Sequence, residues 1–270
     1  MIESLSDILI ISDVDGTLLR EKTGISKENL EAIKRFTDKG GYFTVSTGRA
    51  IDVAMELLKD IPINAPSVHI NGGYFYDWKQ NKIIEPHYIS KYARFCCKKV
   101  VEKFSCCDCH FAAENSVNLL TSGKYLRKYI PEREFHFFDG SFDDIPGEVY
   151  KYIICCDPEN MAEIRKYAES VAGRDIKIIQ SSPFFLEILP PENSKGASLK
   201  RLCEIIGIPS ENSVAAGDYE NDSEMILAAG IGAAVENAQE GLKAIADIIL
   251  PSCEENAIAH LIEFLEEMYE

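Results

Sequence analysis

Near its amino terminus the chain reads Ile8-Leu9-Ile10-Ile11-Ser12-Asp13-Val14-Asp15-Gly16-Thr17-Leu18. The four apolar residues that open this stretch, most of them β-branched, are typical of a strand buried on both faces of a parallel sheet. Gly16 then allows the backbone to turn sharply away. Asp13 and Asp15 follow the strand, and their charges repel each other unless a cation or a shared proton stabilises them. The stretch indicates either a Mg²⁺ site in which one aspartate is also a nucleophile, or only an acidic turn.

The composition is that of a soluble globular protein, with enough residues for one large domain or two smaller ones. The chain has 270 residues, of which 46% are apolar and 27% are charged, which is ordinary for such proteins. The formal net charge of −16 argues against a nucleic acid as partner, because DNA and RNA attract basic proteins. No apolar run approaches the roughly 20 residues that a membrane helix needs, so we expect no membrane partner.

The cysteines favour a reducing compartment. There are nine of them, an odd number that includes adjacent pairs, and the amino terminus lacks the basic start of a secretory signal. Both observations predict reduced thiols and a cytoplasmic location. One run, Cys106-Cys107-Asp108-Cys109-His110, resembles half of a zinc site, but no second Cys-x₂₋₄-Cys pair is present to complete it. We interpret these cysteines as small apolar residues of a strand.

The order of predicted elements is that of an α/β domain interrupted by an insertion. Apolar strands alternate with amphipathic helices at the start of the chain, which is typical of a parallel sheet with right-handed crossovers. Strands are predicted at 8–11, 42–45, 67–70 and 213–216, and helices at 26–39, 51–59 and 195–206. In the middle of the chain, strands follow one another directly, as in an α+β domain. We therefore predict a core domain of residues 1–79 and 190–270 and an inserted α+β domain at 80–189.

Further elements are predicted along the rest of the chain. They include three helices and one strand that the pattern of apolar residues indicates. The helices are predicted at 89–104, 221–229 and 239–246, and the strand at 134–138.

Three polar clusters each follow a buried apolar strand. They are Asp13 with Asp15, the run Ser-Thr-Gly-Arg at 46–49, and the run Gly-Asp-Tyr-Glu-Asn-Asp at 217–222. Ligands bind at the carboxyl ends of the strands in an open parallel sheet, so these clusters are predicted to converge. Carboxylates suit a hard divalent cation, and a hydroxyl beside glycine amides suits phosphate oxygens. The convergence favours a metal and phosphate site over a merely acidic turn.

The same residues resemble the motif series of the haloacid dehalogenase (HAD) superfamily. The series runs Asp-Val-Asp-Gly-Thr-Leu from Asp13, then Thr47-Gly48-Arg49, Ser194-Lys195-Gly196 and Gly-Asp-x-x-Asn-Asp from Gly217. The chain looks most like the Cof-type (subclass IIB) phosphatases, in which a type C2 α+β cap domain follows the second motif. It departs from them at Glu236-Asn237-Ala238, where they usually have Gly-Asn-Ala, and at Asn71-Gly72-Gly73, where they usually have Asn-Gly-Ala. The resemblance implies a Rossmann-like parallel-sheet core with an inserted α+β cap.

The resemblance also implies catalytic and metal-binding roles. Asp13 would attack phosphorus and form an aspartyl-phosphate, and Asp15 would protonate the leaving alcohol and then activate water. Mg²⁺ would be bound by the carboxylates of Asp13 and Asp218 and by the backbone carbonyl of Asp15, while Asp222 would orient the groups around the metal. Relatives with a long-lived aspartyl-phosphate, such as the ion-pumping ATPases, carry threonine where this chain has Asp15, so the aspartate implies rapid turnover.

A second set of residues would bind the phosphate. The set implied by the resemblance is Thr47, Gly48, Lys195, Asn221 and Arg49. The hydroxyl of Thr47 and the amide of Gly48 would hold phosphoryl oxygens, and Lys195 would neutralise their charge. Two assignments stay open. Arg49 either contacts the substrate or pairs with a carboxylate, and Asn71 either contacts the ligand or satisfies loop backbone.

The sequence therefore predicts a Mg²⁺-dependent phosphatase of a small phosphorylated metabolite, such as a sugar phosphate or a phosphorylated cofactor. A phosphomutase or another phosphotransferase would use the same motifs. A sensor that binds a phosphorylated metabolite without turnover is a third interpretation, which the intact catalytic positions disfavour. The sequence specifies neither the substrate nor the oligomeric state.

Overall fold

The computed structural model describes residues 2–20, 24–113, 116–131, 136–145 and 147–269. The strands are β1 (Leu9–Ser12), β2 (Tyr42–Val45), β3 (Ser67–His69), β4 (Tyr74–Asp77), β5 (Lys82–Ile84), β6 (Cys107–Ala113), β7 (Ser116–Leu119), β8 (His136–Phe137), β9 (Lys151–Cys156), β10 (Lys177–Ser182), β11 (Phe185–Leu189), β12 (Ser213–Gly217), β13 (Ile231–Val235) and β14 (Ile248–Leu250). The α-helices are α1 (Lys27–Asp38), α2 (Ile51–Leu58), α3 (Tyr92–Lys103), α4 (Pro158–Val171), α5 (Lys195–Ile206), α6 (Ser223–Ala228), α7 (Glu240–Lys243) and α8 (Ala257–Tyr269).

The chain forms two compact units. The first consists of Met1–Arg49, Ala54–Glu85 and Ser194–Glu270, and the second of Ala50–Val53 and Pro86–Asn193. The β4–β5 hairpin thus belongs to the first unit. Within the described ranges, every helix is too short or too polar to cross a bilayer.

The first unit is built on a five-stranded parallel sheet in the order β14-β13-β12-β1-β2. This arrangement confirms the predicted α/β fold class with its parallel central sheet. Every residue of β1 is buried, as expected for a central strand without polar alternation. Helices α1 and α8 pack against each other, and their apolar residues join those of the sheet in one core.

The third predicted strand does not join this sheet, so that part of the prediction is wrong. Strand β3 instead pairs antiparallel with β4, which pairs antiparallel with β5. A single parallel bridge between Ser46 and Val68 is its link to the end of β2. The strand also ends before Ile70, because Ile70 and Asn71 adopt positive φ angles of 56° and 53° and turn the chain back into β4.

The second unit contains a six-stranded sheet in the order β10-β11-β9-β6-β7-β8. Its pairs are antiparallel apart from β7 with β8, as expected for an α+β arrangement of consecutive strands. Helices α3 and α4 pack on the sheet. All nine cysteines of the chain are free, and Cys107 and Cys109 lie in the apolar core of this unit, in agreement with their interpretation as small apolar residues.

Several predicted elements differ in extent. The helix predicted from residue 89 begins at Tyr92, and the helix predicted at 239–246 is reduced to Glu240–Lys243. The helix predicted from residue 221 is α6, which is preceded by a 3₁₀ turn at Glu220–Asp222. The strand predicted at 134–138 is β8 in its described part, and residues 132–135 lie outside the described residues.

Candidate active site

The ends of three adjacent strands bring the predicted clusters together. Ser12, the last residue of β1, pairs with Val45 of β2 on one side and with Ala216 of β12 on the other. Asp13 continues β1, and its amide donates to the carbonyl of Ala216 at 2.8 Å. The residues that follow the three strands therefore share one edge of the parallel sheet, as the sequence predicted.

The centre of this edge is a buried lysine between two aspartates. The ammonium group of Lys195 donates to Asp13 Oδ1, and it donates to Asp222 Oδ1 at 2.6 Å. The lysine side chain is 0% exposed. It is the first residue of α5, whose amino-terminal cap is the Ser194 hydroxyl. Since burial and a helix amino terminus both disfavour a cation, the two carboxylates must supply the stabilisation of this ammonium group.

Asp218 completes a cluster of three carboxylates. Asp13, Asp218 and Asp222 each offer one carboxylate oxygen, and these oxygens lie within 4.8 Å of one another. Asp222 also accepts hydrogen bonds through Oδ2 from the amides of Asp218 at 3.0 Å and Tyr219 at 3.2 Å. Both Asp222 oxygens are thus engaged with the protein, so this residue holds the loop and the lysine in place.

The cluster carries more negative than positive charge, and the pKa values of Asp13, Asp218 and Lys195 are raised. Burial raises the pKa of Asp13 well above its usual value, with repulsion from Asp222 and Asp218 adding to the effect and Lys195 opposing it. Burial, followed by repulsion from Asp222, raises the pKa of Asp218 to about 7. Although burial alone would lower the pKa of Lys195, Asp13 and Asp222 together raise it. One ammonium group therefore leaves an excess of negative charge that a further cation would offset.

Gly16 allows Asp218 to approach the loop that follows β1. Gly16 has a φ of 83°, a region that L-residues rarely occupy. A β-carbon at this position would lie 2.6 Å from Asp218 Oδ2. Glycine is therefore required here both for the backbone conformation and for the close approach of a carboxylate.

Asp15 lies at the same edge and is half exposed. Arg49 donates to both of its carboxylate oxygens, from Nε to Oδ2 and from the guanidinium Nη2 to Oδ1, each at 2.8 Å. In this structure Arg49 thus pairs with a carboxylate, which is one of the two roles expected for it. The two-point contact fixes the plane of the Asp15 carboxylate.

The other predicted phosphate-binding residues, Thr47, Gly48 and Asn221, follow β2 and β12 at the same edge of the sheet. Thr47 is buried, and its hydroxyl oxygen accepts from the Arg49 amide at 3.1 Å, while Gly48 lies in the bend between these residues. The side-chain amide of Asn221 donates to Asn71 Oδ1 at 3.3 Å. Asn221 Oδ1 is buried and has no hydrogen-bond partner among the described residues. A buried polar atom without a partner is costly, so this oxygen is available to a ligand.

Residues 10–262 match the family of haloacid dehalogenase-like hydrolases. The chain belongs to this family. The match confirms the resemblance inferred from the motifs. It covers most of the hydrolase chain.

Two relatives and one solved structure that are similar to this chain are named as phosphatases. Two proteins of Bacillus subtilis (strain 168), each called 5-amino-6-(5-phospho-D-ribitylamino)uracil phosphatase, are similar to this hydrolase. YcsE is 31% identical over 259 residues, which are 94% of each chain. YwtE is 31% identical over 289 residues, covering 95% of this chain and 97% of its own. A structure titled as the HAD subclass IIB sugar phosphatase BT4131 has the same fold, with a TM-score of 0.82, 22% identity, and coverage of 96% of this chain and 99% of that one. The hydrolase is therefore a phosphatase.

Two residues of the hydrolase support the site although the sequence assigned them no role. Thr17 Oγ1 donates to Asp218 Oδ1 at 3.1 Å. Asn237 donates from Nδ2 to the Gly16 carbonyl at 2.8 Å, and its Oδ1 accepts from the Cys253 amide at 2.9 Å. Thr17 belongs to the motif that begins at Asp13, and Asn237 belongs to the run Glu236-Asn237-Ala238. Their place in these motifs was the only indication of a role, because the residues that they contact are distant in the sequence.

Proposed function

We propose that the hydrolase is a Mg²⁺-dependent phosphatase that releases inorganic phosphate from a small phosphorylated metabolite through an aspartyl-phosphate on Asp13. The observation that carries the proposal is the buried cluster of Lys195 with Asp13, Asp218 and Asp222 at the edge of the parallel sheet. Relatives named as phosphatases of a phosphorylated ribitylamino-uracil support the substrate class. The nine free cysteines agree with a cytoplasmic location, which we also propose.

The donor set suits a hard divalent cation. Carboxylate oxygens are the ligands that Mg²⁺ prefers, and the three aspartates exceed the charge of the single lysine by two. We propose that Asp13 and Asp218 bind the metal by their carboxylates and Asp15 by its backbone carbonyl, while Asp222 orients Lys195 and the loop. When bound, Mg²⁺ would neutralise charge on the phosphoryl oxygens.

Asp13 is proposed to act as the nucleophile. Lys195 contacts its Oδ1 and favours the ionised form, which is the form that attacks. In the first step a carboxylate oxygen of Asp13 forms a bond to phosphorus while the bond from phosphorus to the leaving oxygen breaks. In the second step water attacks phosphorus, and the aspartyl oxygen leaves with its electron pair. Lys195, with Thr47, Gly48 and Asn221, is proposed to hold the phosphoryl oxygens in both steps.

Asp15 is proposed to move the protons. As an acid it would protonate the departing alkoxide, and as a base it would then accept a proton from the attacking water. Its contact with Arg49 gives the carboxylate a defined orientation at the edge of the site. We assign Arg49 mainly to positioning Asp15 and secondarily to attracting the phosphate.

The second unit is proposed to be the cap domain expected from the sequence at residues 80–189. Its sheet order and its helices α3 and α4 are those of an α+β domain. The first unit then corresponds to the predicted core domain at 1–79 and 190–270.

Hydrolysis of p-nitrophenyl phosphate tests the proposed function. Purified protein is expected to release phosphate when Mg²⁺ is present and to stop when a chelator removes the metal. Asp13→Asn should lower kcat by about 10⁴-fold or more, since removal of a nucleophile has effects of this size. The matched control is Asp108→Asn, which removes a buried carboxylate in the second unit. Activity that persists in Asp13→Asn would exclude Asp13 as the nucleophile, and activity that does not respond to the chelator would exclude the metal.

A further inference from the structure

A buried histidine joins β3 to the segment that carries Arg49. His69 is the last residue of β3, and both His69 and Ser67 are 0% exposed. The Nδ1 of His69 lies 3.1 Å from the carbonyl oxygen of Arg49, and its Nε2 lies 2.8 Å from Ser67 Oγ. The indole Nε1 of Trp78 donates to the same Ser67 Oγ at 2.9 Å. These residues, all of the first unit, are therefore linked in one hydrogen-bond series from Trp78 to the Arg49 carbonyl.

The chemistry of the partners fixes the direction of every bond in this series. A carbonyl oxygen can only accept, so His69 Nδ1 carries the hydrogen and donates to Arg49. Burial lowers the pKa of His69 to about 4, so the ring is neutral and its Nε2 is an acceptor. Ser67 therefore donates its hydroxyl hydrogen to Nε2 and accepts from Trp78, whose indole nitrogen can only donate. Each side-chain polar atom of the series thus has a partner of the right kind.

Two aromatic residues of β4 hold the imidazole in this orientation. Tyr74 is the register partner of His69, and its ring is stacked on the imidazole, with centroids 5.5 Å apart and an interplanar angle of 19°. The ring of Tyr76 meets the imidazole nearly at a right angle, with centroids 6.3 Å apart. Both are favourable arrangements of aromatic rings. They restrict rotation of the imidazole, so Nδ1 stays directed at the Arg49 carbonyl.

The main chain of Arg49 is held on both sides of its α-carbon. Its amide donates to Thr47 Oγ1 at 3.1 Å, and its carbonyl accepts from the Ile70 amide at 3.3 Å as well as from His69. Ile70 makes this contact with a φ of 56°, a strained conformation for a β-branched residue that persists only where the surroundings enforce it. Such strain is typical of functional sites. The fixed backbone limits the positions that the long Arg49 side chain can reach.

We infer that His69 is a positioning residue that, through the Arg49 carbonyl, holds the guanidinium in its two-point contact with Asp15 and so aligns the Asp15 carboxylate for proton transfer. The inference rests on the proposed phosphatase function, in which Asp15 moves the protons. Arg49 donates to both Asp15 oxygens at 2.8 Å, and a displacement of about 1 Å at a catalytic group is costly for the rate. An apolar side chain would fill the same space in the core, but it would offer no donor to this carbonyl.

The leaving group of the substrate distinguishes misalignment of Asp15 from general damage to the fold. Phenol is a weaker acid than p-nitrophenol, so the phenolate that departs from phenyl phosphate needs a proton from Asp15 more than nitrophenolate does. The two esters are similar in size, and the fraction of folded protein affects both rates equally. The test is therefore the ratio of kcat/KM for phenyl phosphate to kcat/KM for p-nitrophenyl phosphate.

Three substitutions of His69 separate its two hydrogen bonds. His69→Phe removes both nitrogens and should lower the ratio about tenfold, because general acid catalysis is impaired. His69→Gln places its amide where Nε2 lies, so it keeps the contact with Ser67, loses the contact with Arg49 and should lower the ratio by a similar factor. His69→Asn places its amide nitrogen where Nδ1 lies and should retain most of the wild-type ratio. In His69→Phe, kcat should change more than KM, because proton transfer and not binding is affected.

The control is His260→Phe, which replaces a histidine of α8 whose side chain is 52% exposed and should leave the ratio unchanged. A readout besides activity is the tautomer of His69. Nitrogen-15 NMR of labelled wild-type protein should show hydrogen on Nδ1 of His69 and none on Nε2. Hydrogen on Nε2 in place of Nδ1 would overturn the inference.

The kinetic outcomes separate the inference from the proposed function. Equal ratios in His69→Gln and His69→Asn, or a higher ratio in His69→Gln, overturn the inference, and this contrast decides even if His69→Phe does not fold. Because the wild-type protein still hydrolyses both esters in that case, the phosphatase function stands. A wild-type protein that hydrolyses neither ester contradicts the proposed function itself and the inference with it.

Discussion

The two units each bury a lysine against carboxylates, but the charge balance differs. In the first unit Lys195 contacts Asp13 and Asp222, with Asp218 close by. In the second unit Lys151 contacts Glu187 at 2.8 Å. The first site has an excess of negative charge and raised aspartate pKa values, whereas the Lys151–Glu187 pair of the second unit has one charge of each sign. Burial of a lysine alone therefore does not indicate a catalytic site. The uncompensated charge around it does, because it creates a demand for a cation or a reacting group.

The largest expected effect comes from removing the lysine at the site with excess charge. Lys195→Met should lower kcat for p-nitrophenyl phosphate by about 10³-fold, since it removes a preorganised charge from the transferring phosphoryl group. The matched control is Lys128→Met, which breaks an ion pair with Asp157 at 2.6 Å whose lysine is 45% exposed. Steady-state kinetics measures both variants. If kcat of Lys195→Met is within tenfold of kcat of Lys128→Met, the distinction between the buried Lys195 and the buried Lys151 is contradicted.

The second prediction concerns the balanced site. Lys151→Met removes the ammonium group that donates to the buried Glu187 and should lower the free energy of unfolding by about 3–5 kcal/mol. The double variant Lys151→Met/Glu187→Leu should recover most of this loss, because the buried carboxylate is removed together with the ammonium group. Urea denaturation of the two proteins measures the difference. Equal stability of the single and double variants would show that the pair is not buried in solution as it is here.

The site could be predicted from the sequence because its residues follow strands. An apolar run identified β1, and the same reasoning placed the clusters after β2 and β12 at one edge of the sheet. The Asp15–Arg49 contact could not be chosen in advance, because a guanidinium of this reach can meet either a carboxylate or a phosphate. The grouping of His110, Lys151 and Glu187 on one face of the second sheet escaped prediction. The antiparallel register that aligns His110 with Ile153 and Glu187 depends on turn geometry as well as on the apolar pattern.

The fold, too, could be predicted only in part from the sequence. The order of strands and helices in the first unit followed from apolar periodicity, but the placement of β3 did not. Its antiparallel pairing with β4 depends on a turn in which Ile70 and Asn71 have positive φ angles. Asn71-Gly72-Gly73 is typical of a turn, but a β-branched residue rarely adopts a positive φ angle, so nothing indicated that the turn begins at Ile70. A parallel strand was therefore the natural but mistaken expectation.

The third prediction uses one buried histidine from each unit. Burial lowers the pKa of His69 to about 4 and that of His110 to about 3, below the usual value of 6.5. In this range the unfolded chain binds more protons than the folded one, so stability is complete above pH 6.5 and falls as the pH falls. Each histidine should contribute a slope of about 1.4 kcal/mol per pH unit. His69→Gln and His110→Asn should each remove part of the slope in urea denaturation between pH 6.5 and 4. An unchanged slope in both variants would assign acid sensitivity to other groups.

The smallest expected effect separates backbone strain from crowding at the carboxylate cluster. Gly16→Ala introduces a β-carbon 2.6 Å from Asp218 Oδ2 at a φ of 83°, whereas Gly24→Ala has a φ of 74° and no atom of the described residues within 4 Å of its β-carbon. Gly24→Ala should lower the free energy of unfolding by about 1 kcal/mol, and Gly16→Ala by about 1–3 kcal/mol. Only Gly16→Ala should also weaken Mg²⁺ binding, measured by calorimetry. Equal changes in the free energy of unfolding and in Mg²⁺ binding for the two substitutions would show that Asp218 moves away from the new β-carbon without cost.

The central claim is that Asp13 forms a covalent bond to phosphorus while Asp15 controls the breakdown of that intermediate. The direct test is to mix Asp15→Asn protein with p-nitrophenyl phosphate and Mg²⁺, quench in acid and determine by mass spectrometry which peptide carries a phosphoryl group. The account predicts one phosphoryl group on the Asp13 peptide of Asp15→Asn, and none after the Asp13→Asn change is added. Nitrophenolate release without phosphate on that peptide, or a phosphoryl group that persists in the double variant, would contradict it.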